Sequence, residues 1–385
     1  MEINRERITL GDRWKKLASS STFPRMIITL FFGLVCIMAI AQGLQFPQLM
    51  SSSLGRFGMN AILVLAMVPA IQSGIGPNFG LPLGIITGLL GALISVQLGF
   101  TGIFGFAAAQ AIALPFSIGV GILFGMMLNR VKGSEMIVST YTGFAVVSLM
   151  SIGWIFLPFT DARMKWPLGP GLRNVISLDG VYAGILNDAF SLKFLTEKAS
   201  GKMIVLFNQT ESYLTQNYDS TLYVNNFNIP FLLIAVVFFA CYLMWLFTKS
   251  RTGMMLKAAG DNPRFAKANG INVDKYRVLG TTLSTVLAGA GIIVFSQSYG
   301  FMQLYQAPLM AAFPAVAAIL IGGASAKHAK ISHVLIGAFL FQGLLTISLP
   351  VANAMYPEGN LSEILRMIVQ NGVILYALTK VGGES

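Results

Sequence analysis

A set of amide and hydroxyl side chains lies in or beside long apolar segments: Asn60, Gln72, Asn78, Gln110, Thr140, Tyr141, Gln297, Gln342, Gln370 and Asn371. Polar groups are costly in hydrocarbon, so such side chains pair with one another across helices or face a water-filled path. Each one singly fits interhelical hydrogen bonding. As a set they donate and accept without fixed charge, which suits a neutral, hydroxyl-bearing solute. A different chemistry occupies residues 249–277, a basic island between two apolar segments. There Lys249, Arg251, Lys257, Arg264, Lys267, Lys275 and Arg277 outnumber Asp261 and Asp274, the charge bias of a cytoplasmic connection. Asn262 before Pro263 reads as an N-cap followed by proline at the first helical position, and Gly270 as a left-handed closing residue. The spacing predicts a helix over 263–269, too short to be stable alone in water. It is either part of a solvated loop that fixes topology or a docking element that passes force to the segments on either side.

The segments that must position these groups are membrane helices. Of 385 residues, 55% are hydrophobic and 11% charged, with a mean hydropathy of +0.70, more apolar side chain than a soluble core requires. The net charge of +11 clusters between apolar segments and follows no single face, which argues for membrane topology against nucleic-acid binding. Apolar runs at 26–44, 57–73, 79–98, 102–128, 136–157, 229–247, 278–297, 308–323, 334–349 and 361–379 are each near the roughly 20 residues a helix needs to cross. The expected fold is all-α, a polytopic membrane protein of about ten transmembrane helices with a short cytoplasmic helix between two of them. Residues 1–25 form a basic cytoplasmic segment, with a short interfacial helix suggested at 12–16. Residues 26–158 form the first half of five spans, 159–228 an extracytoplasmic insertion, and 229–380 the second half, including 249–277. Both termini are expected in the cytoplasm, because most basic residues then fall on inner connections. Ala39-Ile40-Ala41 imitates a signal-peptidase site, but the polar leader and long apolar run favour a retained first span. Cys36 and Cys241 lie in apolar spans, where a structural disulfide or zinc site is not expected. The Asn208-Gln209-Thr210 sequon carries little weight.

Ala258-Ala259-Gly260-Asp261-Asn262-Pro263, then Ala266 and Gly270-Ile271, resembles the coupling-helix signature of the membrane permeases of ABC importers for simple sugars, branched-chain amino acids and nucleosides. A second block, from Ala317-Ala318 to Gly322-Gly323-Ala324-Ser325, is similar to that family's A-A-V-V-x-G-G-x-S. The resemblance implies that Ala258, Gly260, Asp261, Asn262, Pro263, Ala266, Gly270 and Ile271 serve ATPase coupling. It implies as partners cytosolic ABC ATPase subunits that bind ATP and Mg, a second permease subunit (homodimer or paralogue) and an extracytoplasmic solute-binding protein. The location implied is the cytoplasmic membrane of a bacterium. Gly74 to Gly84 is similar to the family's turn after the second span, and Asn78-Phe79-Gly80 to the start of the nucleoside permeases' version. Leu81, Pro82 and Leu83 stand at its acidic position, and Ala312, Phe313 and Pro314 replace the E-L-D of sugar permeases. The expected substrate pathway is Asn60, Gln72, Asn78, Phe79, Tyr141, Gln342 and Asn371.

The residues also limit the function. No G-x-x-x-x-G-K-[ST] occurs, so ATP hydrolysis on this chain is not expected, nor are a cofactor or metal of its own. The rival class is an ion-coupled secondary transporter, which generally needs a titratable group at mid-depth, and no acid lies deep in any expected span. A membrane enzyme fits less well, since His328 and His333 lie in or beside a basic turn without a nearby carboxylate. The expected activity is translocation of a small neutral polar solute, with monosaccharide and nucleoside close and branched-chain amino acid behind. Gly80, Gly84 and Gly88, with Gly121 and Gly125, predict close helix packing. The interrupted stretches 74–84 and 306–314 are the expected hinges.

Overall fold

The computed structural model describes residues 22–355 apart from 168, 170, 198–202 and 208–222, together with 367, 371 and 372. The expected interfacial helix at 12–16, the sequon at 208, Gln370 and most of the expected last span at 361–379 lie outside the described residues.

Apolar helices follow one another along the chain and pack together: α1 Thr22–Ala41, α2 Phe46–Leu65 with its short continuation α3 Met67–Gln72, α4 Leu81–Gln97, α5 Gly102–Arg130 and α6 Glu135–Phe156. After the insertion come α8 Phe231–Lys249, α11 Val273–Tyr299, α12 Ala307–Ile321 and α13 Ile331–Met355. Taking α2 and α3 together as Phe46–Gln72, six of these are long and apolar enough to cross a membrane, while Arg25–Ala41, Leu81–Gln97 and Ala307–Ile321 are shorter. They coincide with the first nine expected spans. One boundary differs in a way that matters for the site: the second helix begins at Phe46, so Arg56 lies within it and not before it.

The interruptions have local causes. Pro69 lacks the N–H that would bond the carbonyl of Leu65, and the helix breaks there into α2 and α3. Residues 73–80 are then irregular yet nearly all buried, the condition under which open backbone is tolerated at membrane depth. Because those residues occupy part of the crossing, α4 needs only 17 residues. In the second half α12 is also short, 15 residues, and contains Pro314.

α11 is the axis of the bundle, packed against both α4 and α5. The expected glycine rows make these contacts. A Cβ on Gly84 would fall 2.4 Å from the Thr285 carbonyl oxygen, and one on Gly88 2.4 Å from that of Gly289, so these backbones touch. α5, α6 and α8 instead keep most of their surface outside the bundle, with Phe104, Leu123, Leu149, Phe156 and Phe239 exposed. That apolar surface suits lipid or a second membrane subunit.

The insertion contributes strands to an otherwise helical chain: β1 Val175–Ser177, β2 Ser191–Glu197, β3 Met203–Phe207 and β4 Tyr223–Pro230, plus a one-turn helix α7 Ile185–Asp188. β2 is the middle strand of an antiparallel sheet between β3 and β4. β1 pairs with β5 Phe301–Gln303, which directly follows α11. The Gly184 N–H donates to the Gln297 carbonyl at 2.7 Å, and the Leu186 N–H to Gln297 Oε1 at 3.2 Å. Gln297, read from sequence as a candidate for the solute path, is therefore occupied in anchoring the insertion to the end of α11.

Gly88→Ala is expected to lower the melting temperature of the detergent-solubilised protein by the equivalent of about 1–3 kcal/mol of overpacking. Gly119→Ala on α5, where a Cβ meets nothing within 4 Å, is expected to leave it unchanged. A scanning-fluorimetry melt of the two variants checks the contrast.

Candidate functional site

Two sites lie at opposite ends of α11. At its start, the basic island folds into α9 Arg251–Asp261, α10 Pro263–Ala268 and the first turn of α11. Each junction is capped by a side chain: Ser250 Oγ accepts from the Gly253 N–H, Asn262 Oδ1 from Phe265 at 3.0 Å, and Asn272 Oδ1 from Lys275 at 3.1 Å. Gly270 takes φ +76°, the left-handed conformation that ends α10. A two-turn helix that is unstable alone is thus held by three caps and a small core of Ala259, Ala266 and Val273, with Ile271 and Tyr276 against it.

The motif residues divide into two kinds. Ala266 is fully buried in that core, and a Cβ on Gly260 would lie 2.2 Å from the Gln72 carbonyl oxygen and 2.7 Å from the Gly74 nitrogen. These two residues hold the knob together and press it onto the turn after α3. Ala258 and Ile271 are half-buried, while Asp261, Asn262, Pro263 and Gly270 are exposed. The exposed surface of this element centres on Phe265, 64% exposed, between Arg264 and Lys267. The sequence held the signal for Phe265, a large apolar residue on a short charged helix outside the spans.

A buried polar clamp joins the knob to α5 and α6. Arg277 Nη2 donates to Glu135 Oε1 at 2.5 Å and its Nε to Asn129 Oδ1 at 3.0 Å, while Asn129 Nδ2 donates to the Asp274 carbonyl at 2.8 Å. Lys132 pairs with the Asp274 carboxylate beside it. Gln72 Nε2 donates to the Ala329 carbonyl at 2.9 Å, so it ties α3 to the 322–330 turn at this same end.

At the other end, beside the insertion, a cavity of about 380 Å³ opens between α2, α11, α12 and α13. This lies within the roughly 300–1,000 Å³ of ordinary ligand pockets. Asn60 and Gln342, expected from sequence, meet in its wall, joined by Arg56, Ser298, Tyr299 and Gln303. The rings of Phe295 and Tyr299, both in the lining, stack at 5.3 Å. Among the described residues the Gln342 amide makes no side-chain hydrogen bond and Asn60 uses only its Nδ2, on the Arg56 carbonyl, so acceptor and donor capacity remain open. Arg56 has no ion pair among the described residues. No carboxylate, histidine or cysteine among the described residues lines this cavity. The wall therefore offers an aromatic face, amides, the hydroxyls of Ser298 and Tyr299, and one guanidinium.

The remaining expected pathway residues lie elsewhere. Asn78 is buried and doubly used, its Nδ2 donating to Ser284 Oγ at 2.8 Å and its Oδ1 accepting from the Gly80 N–H at 2.9 Å. Its role in this arrangement is to fix the irregular 73–80 backbone. Phe79 packs on Phe313 at 6.2 Å, and Phe313 on Phe144 at 6.0 Å. Tyr141 is 71% exposed on the outer face of α6, and Asn371 is also exposed. Gln110 Nε2 donates to the Ala290 carbonyl and Thr140 Oγ1 to the Met136 carbonyl, both structural bonds. Arg56, Ser298, Tyr299 and Gln303 were not among the residues expected to line the path.

The model of the permease component of branched-chain amino acid transport systems matches residues 49–378. This chain belongs to that permease family. Over 109 residues it is 34% identical to the nucleoside ABC transporter permease protein NupC of Lactococcus lactis subsp. cremoris, covering 28% of this chain and 33% of that one. It therefore spans only about a third of that relative's length. A tyrosine transport system permease protein of Clostridioides difficile is 23% identical over 63% of this chain and 90% of its own. The autoinducer 2 import system permease protein LsrC of Photorhabdus luminescens is 22% identical over 84% and 83%. No solved structure matches the permease. Its matched span includes both the knob and the cavity, and the chain is a multi-pass membrane component of an ABC-type transporter.

Removing one member of the Arg277–Glu135 pair strands a buried charge, so Glu135→Ala is expected to destabilise the permease by roughly 3 kcal/mol. The double variant Glu135→Ala/Arg277→Met is expected to recover part of that loss. Denaturant melts of the single and double variants, compared as a cycle, check the sign.

Proposed function

We propose that this permease serves an importer that carries a small neutral polar solute, a monosaccharide or a nucleoside, into a bacterial cell. ATP and Mg are bound and turned over by separate cytosolic ATPase subunits that grip α10. A second permease, copy or paralogue, completes the pathway against the exposed faces of α5, α6 or α8. A solute-binding protein delivers cargo at the insertion end, which faces outward, and both chain ends lie in the cytoplasm.

One observation carries this reading: the capped knob around Phe265 protrudes from the basic end of the bundle and packs directly on the turn that starts the 73–80 break. An ion-coupled symporter would share the basic collar, which topology alone explains, but would need no protruding apolar side chain there. The cavity supports the solute class. Its aromatic pair suits the face of a base or sugar ring, and its amides and hydroxyls suit ring oxygens. Relatives named for nucleosides and autoinducer 2 agree with such a solute. A second reading, an amino acid, is favoured by Arg56. Hydropathy alone places no charge at depth to meet a carboxylate, whereas the longer second helix puts one in the cavity wall, in keeping with the relative named for tyrosine.

Phe265→Asp changes only exposed surface, so the permease is expected to insert and melt normally while losing co-purification with its ATPase and at least tenfold of uptake. Ala266→Asp is expected to fail earlier, in folding, because Ala266 is buried. Normal uptake by Phe265→Asp contradicts the docking role, and radiolabelled adenosine, ribose and tyrosine uptake in cells carrying the full transporter separates the solute readings.

A further inference from the structure

α2 carries a polar stripe of which the inner cavity takes up only one end. Gln48, Ser51, Ser52, Gly55, Arg56 and Asn60 recur at three- and four-residue steps, which places them on one helical face. From Gln48 to Asn60 this face runs about 18 Å at 1.5 Å per residue. Arg56 and Asn60 belong to the inner cavity. The outer part faces a second cavity of about 240 Å³, closed on its far side by the insertion through Asn187, Phe227 and Asn228.

The insertion is held over this stripe by specific bonds. Ser51 Oγ donates to the Asn228 carbonyl at 2.8 Å and accepts from the Asn228 N–H at 2.9 Å, clamping β4 to α2. Asn187 Nδ2 donates to the Ser298 carbonyl at 3.2 Å, and Ser298 Oγ donates to Asn187 Oδ1 at 2.8 Å. Asn187 lines the outer cavity and Ser298 the inner one, so these bonds link the two linings. Gly55 and Arg56, neighbours in sequence, likewise line the outer and inner cavities. Asn228 leaves its buried side-chain oxygen without a hydrogen-bond partner among the described residues. A Cβ on Gly55 would meet nothing within 4 Å, so the space beside the stripe is open at this position.

We propose that the insertion and the outer half of α2 build a second solute subsite, from which the solute passes along the α2 stripe into the inner cavity. Its described lining is amides, hydroxyls and the Phe227 ring with no charged side chain, so it takes a neutral, hydroxyl-bearing ring compound. The charged contact, Arg56, comes only at the second stage. This rests on the reading of the inner cavity as the transport path, and it gives the insertion a role in solute entry.

The test uses the full transporter in membranes, with Cys36 and Cys241 replaced by alanine and a single cysteine introduced as Ser52→Cys or Asn60→Cys. The probe is a small cationic methanethiosulfonate added from the insertion side. Both introduced thiols are expected to react. Adding Gly55→Trp is expected to slow reaction of the Asn60→Cys variant at least tenfold and to cut uptake of adenosine or ribose by a similar factor, with the ATPase still co-purifying. Ser52→Trp provides the same block one turn further out, and Gly119→Ala on α5, outside both cavities, should behave as the parent. The proposal is overturned if the Ser52→Cys variant fails to react, or if Gly55→Trp leaves the Asn60→Cys variant reacting at the parent rate. Undiminished uptake by Gly55→Trp overturns it as well. If the unsubstituted transporter moves neither compound, the neutral-solute reading fails, and the labelling rates by themselves decide whether the track exists.

Discussion

The backbone approach of Gly260 to Gly74 is the contact on which the rest of this structure depends. No side chain fits between them: a Cβ on Gly260 would overlap the Gln72 carbonyl, and one on Gly74 would lie 2.9 Å from the Gly260 Cα. Gly74 also takes φ +79°, which glycine alone adopts without strain. The knob that protrudes from the bundle is thereby seated on the first residues of an irregular segment that leads inward. Asn78 fixes that segment to α11 through Ser284, and Phe79 continues it through Phe313 on α12. The next residue, Pro314, is in the wall of the cavity. Interiors packed this densely do not absorb a displacement locally; they move as units between discrete arrangements. In the function proposed here, that chain of contacts carries motion of the knob to the solute.

The distribution of charge and of small residues follows from the same need. Hydrocarbon offers helices no hydrophobic reason to associate with one another, so the α4–α11 and α5–α11 contacts are made by glycines and hydroxyl residues that let backbones touch. Cationic side chains gather at the knob end, where Arg277 is neutralised by Glu135 and Asp274 by Lys132. Arg56 departs from this arrangement. A guanidinium on a membrane-spanning helix without a counter-ion among the described residues is expensive, and its place in a cavity wall is where such a charge is tolerated.

Much of this was legible in the sequence because the signals were local. Asn262, Pro263 and Gly270 define a short helix whatever surrounds them, and the nine apolar helices among the described residues follow from hydropathy. What the sequence hid was tertiary. Hydropathy starts the second span at residue 57 because Ser51, Ser52, Ser53 and Arg56 lower it locally, yet those residues are helical from Phe46, and the polar stripe that includes Ser51, Ser52 and Arg56 is the feature that was lost. Gly260 and Ala266 stand out as motif residues, but nothing local distinguishes a residue that touches a partner from one that seats the knob on its own bundle. Asn78 and Gln297 are polar and buried like Gln342, and only their partners in space separate fixed structural bonds from open ones. The strands of the insertion are short, and their pairing across 159–230 and with 301–303 depends on contacts far apart in sequence.

In this mechanism the knob drives the pathway through its seat on the 72–74 turn. Gly260→Ala wedges that seat apart while leaving the exposed surface around Phe265 untouched, so the ratio of solute moved to ATP hydrolysed by the reconstituted transporter carrying it is the decisive quantity. The ATPase is expected still to bind and hydrolyse ATP, with the ratio falling at least tenfold. A ratio equal to that of the unsubstituted transporter would contradict coupling through the seat.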